Sequence, residues 1–270
     1  MIDFNKSRHY TLSIRLSTDG FCFAVHNPQA ANEYAYLPYR IDPLKPLTSN
    51  LKAAVEETEM LRHTYGAVNI ILADANYILI PKEYYAEQYE RELYQYNFAS
   101  SGTNDPIAHN IVGDEQSMVL FSIEKQLHKY ITTQYPKAKI YAAITPLINF
   151  GVERSYAANK KYCLLHIRKR GIDFMCYENA APLFVNTFHF RDTADALYYL
   201  LNCWTTLGLS QTDDTLHIAG QSRQAKNLVH ELERFIQNIH IIRPAEEFHS
   251  TELARIDDLP LDLQILIACE

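Results

Sequence analysis

The order in which strand-like and helix-like segments recur constrains this chain more than any single motif. It opens on three apolar, aromatic and β-branched segments, Tyr10 to Leu16, Gly20 to His26 and Tyr34 to Ile41, which read as a meander. A helix follows; Ser49 or Asn50 can cap it and Gly66 can end it. Val68 to Ala73 is a continuous apolar run, the mark of a strand buried on both faces. Past the middle the order starts again. Tyr162 to Ile167, Ile172 to Glu178 and Leu183 to Phe190 form a second meander, Thr193 to Leu207 a helix, and Thr215 to Ala219 a strand. The Gly20 turn falls opposite the Gly171 turn, and VNIILADANYI falls opposite DTLHIAGQSRQ, which sets Asp74 against Gly220. A repeat this long means two similar lobes, not a solenoid. Helical crossovers between strands imply mixed sheets with helices packed on them.

Each copy closes on helix, strand and helix. In the first these are Lys82 to Phe98, Lys139 to Ile144, and a helix reaching about Asn159; in the second, Ser222 to Asn238, His240 to Arg243 and Pro260 to Cys269. The expected lobes are therefore residues 1–159 and 160–270. The first carries an extra block at about 99–136: a loop from Ser100 to Asp105, strands His109 to Val112 and Ser117 to Ile123 around a Gly113-Asp114 turn, and a helix from Glu124 to Tyr135. In the Tyr-rich helix before it, Tyr85 and Tyr89 share a face; packing on its own sheet outweighs a contact surface as their reading.

Composition excludes several function classes. A formal net charge of −7 disfavours non-specific nucleic-acid binding, which needs a basic face. MIDFNKSRHY has no apolar core behind its charges and does not read as a signal peptide, and no apolar run is long enough to cross a bilayer. The five cysteines are scattered, mostly within apolar runs, and form no CxxC pair; they read as reduced core residues of a cytoplasmic protein. No helix carries two histidines at ligand spacing, so the eleven histidines suggest no metal site. There is no GxSxG for a serine hydrolase and no GxGxxG for a dinucleotide enzyme. A ribonuclease-H-type nuclease needs converging carboxylates, whereas the strand ends here carry Arg15, Asp74 and His166.

The duplicated order resembles the actin-like ATPase superfamily, with its ribonuclease H-like lobes, over nearly the whole chain. More closely, the sequence is similar to a bacterial family of unknown function that has an actin-like ATPase fold. The resemblance implies a two-lobed α/β fold with ATP bound between the lobes. It further implies that a strand-turn-strand loop in each lobe offers an acidic residue and, two positions on, a glycine to the phosphates. In TLSIRLSTDGFCFAV the acid position falls on Arg15 and the glycine position on Ser17. In LLHIRKRGIDF they fall on His166 and Arg168, with Gly171 kept as a turn. Asp19 and Asp173 lie nearby as alternative acids. IAGQSRQAKNLVHEL is similar to the adenosine motif: Gly220 matches, Gln221 stands where a second glycine is usual, and Ser222 and Arg223 open the helix.

A cation cannot hold Mg²⁺ as a carboxylate does. The expectation is therefore a non-catalytic cytoplasmic binding or scaffold protein, a pseudo-ATPase, with an unidentified protein partner. An alternative is a nucleotide-binding protein or ATPase with non-standard phosphate loops. Arg15, Ser17, His166, Arg168, Lys169 and Gly171 would then meet phosphate, and Gly220 to Arg223 the adenosine, with ATP the one candidate cofactor. Lys160, Lys161, Arg168, Lys169 and Arg170 read either as part of that anion site or, more commonly for exposed basic turns, as a solvated hairpin tip. Dimers or filaments through the extra block are a third expectation.

Overall fold

The first three strands pair as their alternation predicts. In the computed structural model β1 (Thr11–Ser17), β2 (Gly20–Asn27) and β3 (Ala30–Tyr39) form an antiparallel meander. The structure describes residues 2–98, 104–113, 115–158, 160–169, 171–220, 223–248, 256 and 259–269. β4 (Ala67–Leu72) runs parallel to β1, and β8 (Lys139–Ala142) parallel to β4, giving the order β3-β2-β1-β4-β8. The second copy repeats it. β9 (Tyr162–Ile167), β10 (Gly171–Glu178), β11 (Ala181–His189), β12 (Thr215–Ala219) and β13 (Asn238–Ile241) lie in the order β11-β10-β9-β12-β13, with the same parallel and antiparallel senses.

Two compact units result, Met1–Pro146 with His249–Glu270, and Leu147–Phe248. In the second, α5 (Thr193–Thr206) and α6 (Arg223–Leu232) cover one sheet face: Leu200, Trp204, Leu228 and Leu232 pack on Cys163, Leu165, Phe174, Cys176, Leu216 and Ile218. Asp192 caps α5, its side chain accepting from Asp195 N–H at 3.0 Å. α6 stops short of the expected Asn238: turn residues intervene after Leu232, and β13 already begins at Asn238. A single turn of helix, α7 (Pro244–Glu247), follows β13.

Other boundaries shift for identifiable reasons. α1 (Leu47–Glu57) starts before Ser49, because Asn50 points inward instead of capping. Its buried amide accepts from Asp42 N–H at 2.9 Å and donates to the carbonyls of Asp42 and Lys45 at 3.0 and 3.1 Å, tying down the preceding loop. The expected helix from Lys82 to Phe98 is mostly not one. β5 (Tyr77–Pro81) pairs with β7 (Ser117–Ser122), two 3₁₀ turns follow at 82–84 and 87–89, and only α2 (Glu90–Asn97) is helical. YILIP has strand-forming residues, and β7 supplies the partner that sequence periodicity cannot show. With β6 (Ile107–Val112) these strands form a third sheet, β5-β7-β6, so the extra block begins near Tyr77. The block ends on α3 (Lys125–Gln134), which Glu124 caps by accepting from Gln126 and Leu127 N–H at 2.8 and 2.9 Å; α4 (Ile144–Ala157) follows β8. Asn110 joins the third sheet to the first. Its side chain donates to Ile140 O at 2.8 Å and accepts from Ala142 N–H at 3.0 Å, satisfying edge strand β8.

The C-terminal α8 (Leu261–Ala268) packs with the first unit, not with the second as its place in the sequence suggests. LDLQILIA is apolar nearly all round, and such a helix must be buried. Leu263 and Ile267, with Leu259 just before the helix, pack on Cys22, Ala24, Ile71, Ala73 and Ala143. No helix among the described residues is long and apolar enough to cross a membrane.

Candidate functional site at the hairpin ends

Period-two alternation sends Leu12, Ile14 and Leu16 of β1 to one sheet face and Arg15 to the other. Arg15 lies in register with Cys22 on β2 and Ile71 on β4, two residues that α8 covers. A guanidinium there needs a counter-ion. Asp262, fully buried on α8, supplies it: Arg15 Nε donates to both carboxylate oxygens, at 2.8 and 2.9 Å. Burial opposes the charge, but attraction and hydrogen bonding to Asp262 outweigh it and raise the Arg15 pKa above its ordinary value. Sequence reading missed Asp262. The available signal was a lone acid inside an apolar helix, which implies a buried cationic partner.

The donors of the first turn are also engaged. Thr18 N–H at 2.6 Å, Thr18 Oγ1 at 2.9 Å and Ser17 Oγ at 3.1 Å all donate to one carboxylate oxygen of Asp74, just past β4. Asp19, the alternative acid, lies in the turn, where its N–H donates to Ser17 Oγ at 3.2 Å. The hairpin end therefore already holds an anion, supplied by the chain itself.

In the second copy an acid lies across the hairpin from the expected acid position. His166, at the expected acid position on β9, faces Asp173 on β10. His166 Nδ1 is 3.0 Å from Asp173 Oδ2, Arg168 Nη2 donates to Oδ1 at 3.0 Å, and Thr187 Oγ1 of β11 donates to Oδ1 at 2.7 Å. Burial works to raise the Asp173 pKa. The Arg168 charge, then His166 and Thr187, outweigh it and hold the carboxyl well below the usual carboxylate range.

The proposed basic group divides in the structure. Lys160 Nζ donates to Asp213 O at 3.2 Å and Lys161 Nζ to Leu207 O at 2.9 Å, both toward the loop after α5. Arg168 turns onto Asp173, Lys169 is exposed, and Arg170 lies outside the described residues. Gly171 opens β10 as the turn requires. Gly220 has a structural reason of its own. Its φ is +135°, and a Cβ there would lie 2.6 Å from Ile167 O, so glycine lets the end of β12 close on β9. Gln221, Ser222 and the side chain of Arg223 lie outside the described residues. Among the described residues no three His, Cys, Asp or Glu side chains are grouped to hold a metal ion.

Two five-stranded sheets of identical order, one per half, define a duplicated actin-like ATPase fold. The chain belongs to the family described as protein of unknown function (DUF3822), whose model matches residues 1–239. It is similar to a protein of Bacteroides thetaiotaomicron VPI-5482, described as having an actin-like ATPase fold and unknown function: 34% identity over 100% of both chains, TM-score 0.87. It is also similar in fold to a chain of the PilM-PilN type IV pilus biogenesis complex, at 11% identity over 97% of this chain and 98% of that one, TM-score 0.58. No curated protein matches the chain.

Proposed function

We propose that this chain is a non-catalytic binding or scaffold protein of the cytoplasm, a pseudo-ATPase on an actin-like frame. One observation carries the reading: at both hairpin ends the basic side chain at the expected acid position is paired with an internal carboxylate, Arg15 with Asp262 and His166 with Asp173. A magnesium-bound triphosphate needs free oxygen ligands for the metal and free donors for the phosphates. Here Asp173 and Asp262 are committed to cations, and Ser17 and Thr18 to Asp74. These residues do not fit Mg²⁺–ATP, and no step of a phosphoryl transfer is assigned to them. The alternative phosphate role for Arg15 and Arg168 would first require breaking both ion pairs. Work as an adaptor for another protein draws support from fold analogy with the pilus complex chain, and from no residue-level match.

Isothermal titration of the protein with ATP and Mg²⁺, together with a phosphate-release assay, tests the reading. The expected result is no saturable heat and no release above a protein-free blank. Turnover that persists in the wild type and disappears in Asp74→Asn would refute it.

A further inference from the structure

Cys163 on β9 and Cys176 on β10 lie directly opposite each other, with their sulfurs 3.6 Å apart and both residues fully buried. The hairpin decides what kind of pair this is. Arg168 N–H donates to Gly171 O at 2.8 Å, so those two residues form a hydrogen-bonded pair. Hydrogen-bonded and open pairs alternate along antiparallel strands. The register runs without a shift from Ile172↔Ile167 to Tyr177↔Tyr162, which makes Cys163 and Cys176 an open pair. In open pairs the Cα atoms approach to about 4.5 Å. A disulfide spans about 4.4–6.8 Å between Cα atoms.

We propose that Cys163 and Cys176 are a modification site, a cross-strand thiol pair that a hydroperoxide converts to a disulfide. The Cys163 S–H donates to Cys176 Sγ. This hydrogen bond, working against burial, lowers the Cys176 pKa and favours it as the attacking thiolate. The thiolate attacks one peroxide oxygen, the O–O bond breaks, and Cys176 becomes a sulfenic acid while the other oxygen leaves as water. Cys163 sulfur then displaces the sulfenic oxygen, which takes up the Cys163 proton and leaves as a second water. Two thiols and one hydrogen peroxide become one disulfide and two waters; sulfur is oxidised and peroxide oxygen reduced. The cross-link joins the strands three residues from His166 on β9 and three from Asp173 on β10, so it clamps the hairpin that carries the buried acid. Because both thiols are buried, the reaction runs through opening of the sheet and is slow beside that of the exposed Cys269.

Peptide mapping of the full chain after hydrogen peroxide treatment, without reduction, tests this. The expected product is a peptide pair joined through Cys163 and Cys176, two hydrogens lighter than its parts and released by dithiothreitol. Cys203→Ser, which alters a third thiol of the same core, should keep the cross-link, and the oxidised protein should melt several degrees above the reduced one. The proposal falls if Cys163 and Cys176 stay reduced while Cys269 oxidises. It also falls if each is carried separately to a sulfinic acid, or if Cys203 is cross-linked as readily as its neighbours.

Discussion

Arg15 Nε bonds both carboxylate oxygens of Asp262, at 2.8 and 2.9 Å, across 247 residues of sequence. The pair fastens the strand at the centre of the first sheet to the last helix of the chain. It also gives the cation at the expected acid position a structural role of its own. A buried pair gives little net stability over an apolar one, yet losing one partner strands a charge.

Asp262→Ala is therefore expected to lower unfolding stability by about 3–5 kcal/mol, since it leaves a buried guanidinium without its counter-ion. Arg15→Met combined with Asp262→Leu should recover most of that loss. Urea denaturation at neutral pH measures both. A double variant as unstable as the single one would show that shape, not charge, sets the cost.

Asp173 gives the pH dependence its sign. Its folded pKa lies below the unfolded one, because Arg168, His166 and Thr187 outweigh the effect of burial. The contribution is complete above the unfolded carboxylate value of about 3.9 and is lost as pH falls below it toward the depressed folded value. Wild-type urea midpoints should therefore fall more steeply below about pH 4 than those of Asp173→Asn, which has no carboxylate to protonate at that position. Parallel midpoint curves for the two proteins would contradict this.

The topology of both halves was legible in the sequence because strand patterning is local. TLSIRLS and YCLLHI alternate or run apolar as half- or fully buried strands must, and glycine marks each turn. The partners of charged groups were not legible, because pairing is set by tertiary contact. Nothing near Arg15 points to Asp262, and nothing near Ser17 points to Asp74 as its acceptor. β5 goes unread for a related reason: YILIP is a short apolar run that no pattern assigns, and pairing with β7 is what makes it a strand. Gly220 was legible as a strand-end glycine, but not as one required by contact with Ile167.

That contact ranks the glycines. Gly220→Ala must place a Cβ 2.6 Å from Ile167 O at φ +135°, so backbone strain of about 1–3 kcal/mol adds to the clash. Gly208, at φ +62°, has open space where a Cβ would stand, with no atom within 4 Å, and Gly208→Ala should cost only the left-handed penalty of about 1–2 kcal/mol. Thermal or urea unfolding of the two variants should show Gly220→Ala as the less stable. The reverse order would mean that the end of β12 can move away from β9.

Thiol reactivity separates the five cysteines by environment. Cys22, Cys163, Cys176 and Cys203 are buried and Cys269 is exposed. Burial, opposed in part by Arg15, pushes the Cys22 thiol from 9.0 up to about 12. A folded pKa raised above the unfolded one stabilises the fold fully below about pH 9, and the contribution is lost as pH climbs through the folded value. Since the thiolate is the nucleophile, iodoacetamide at pH 8 should label Cys269 rapidly in the native protein and the other four far more slowly, with all five reacting promptly on denaturation. Mass spectrometry of the native and urea-treated protein counts the adducts. Rapid native labelling of Cys22 would show that α8 leaves the first sheet often enough to expose Arg15 and its neighbours, and the Asp262 pairing would then be a transient contact, not a fixed part of the fold.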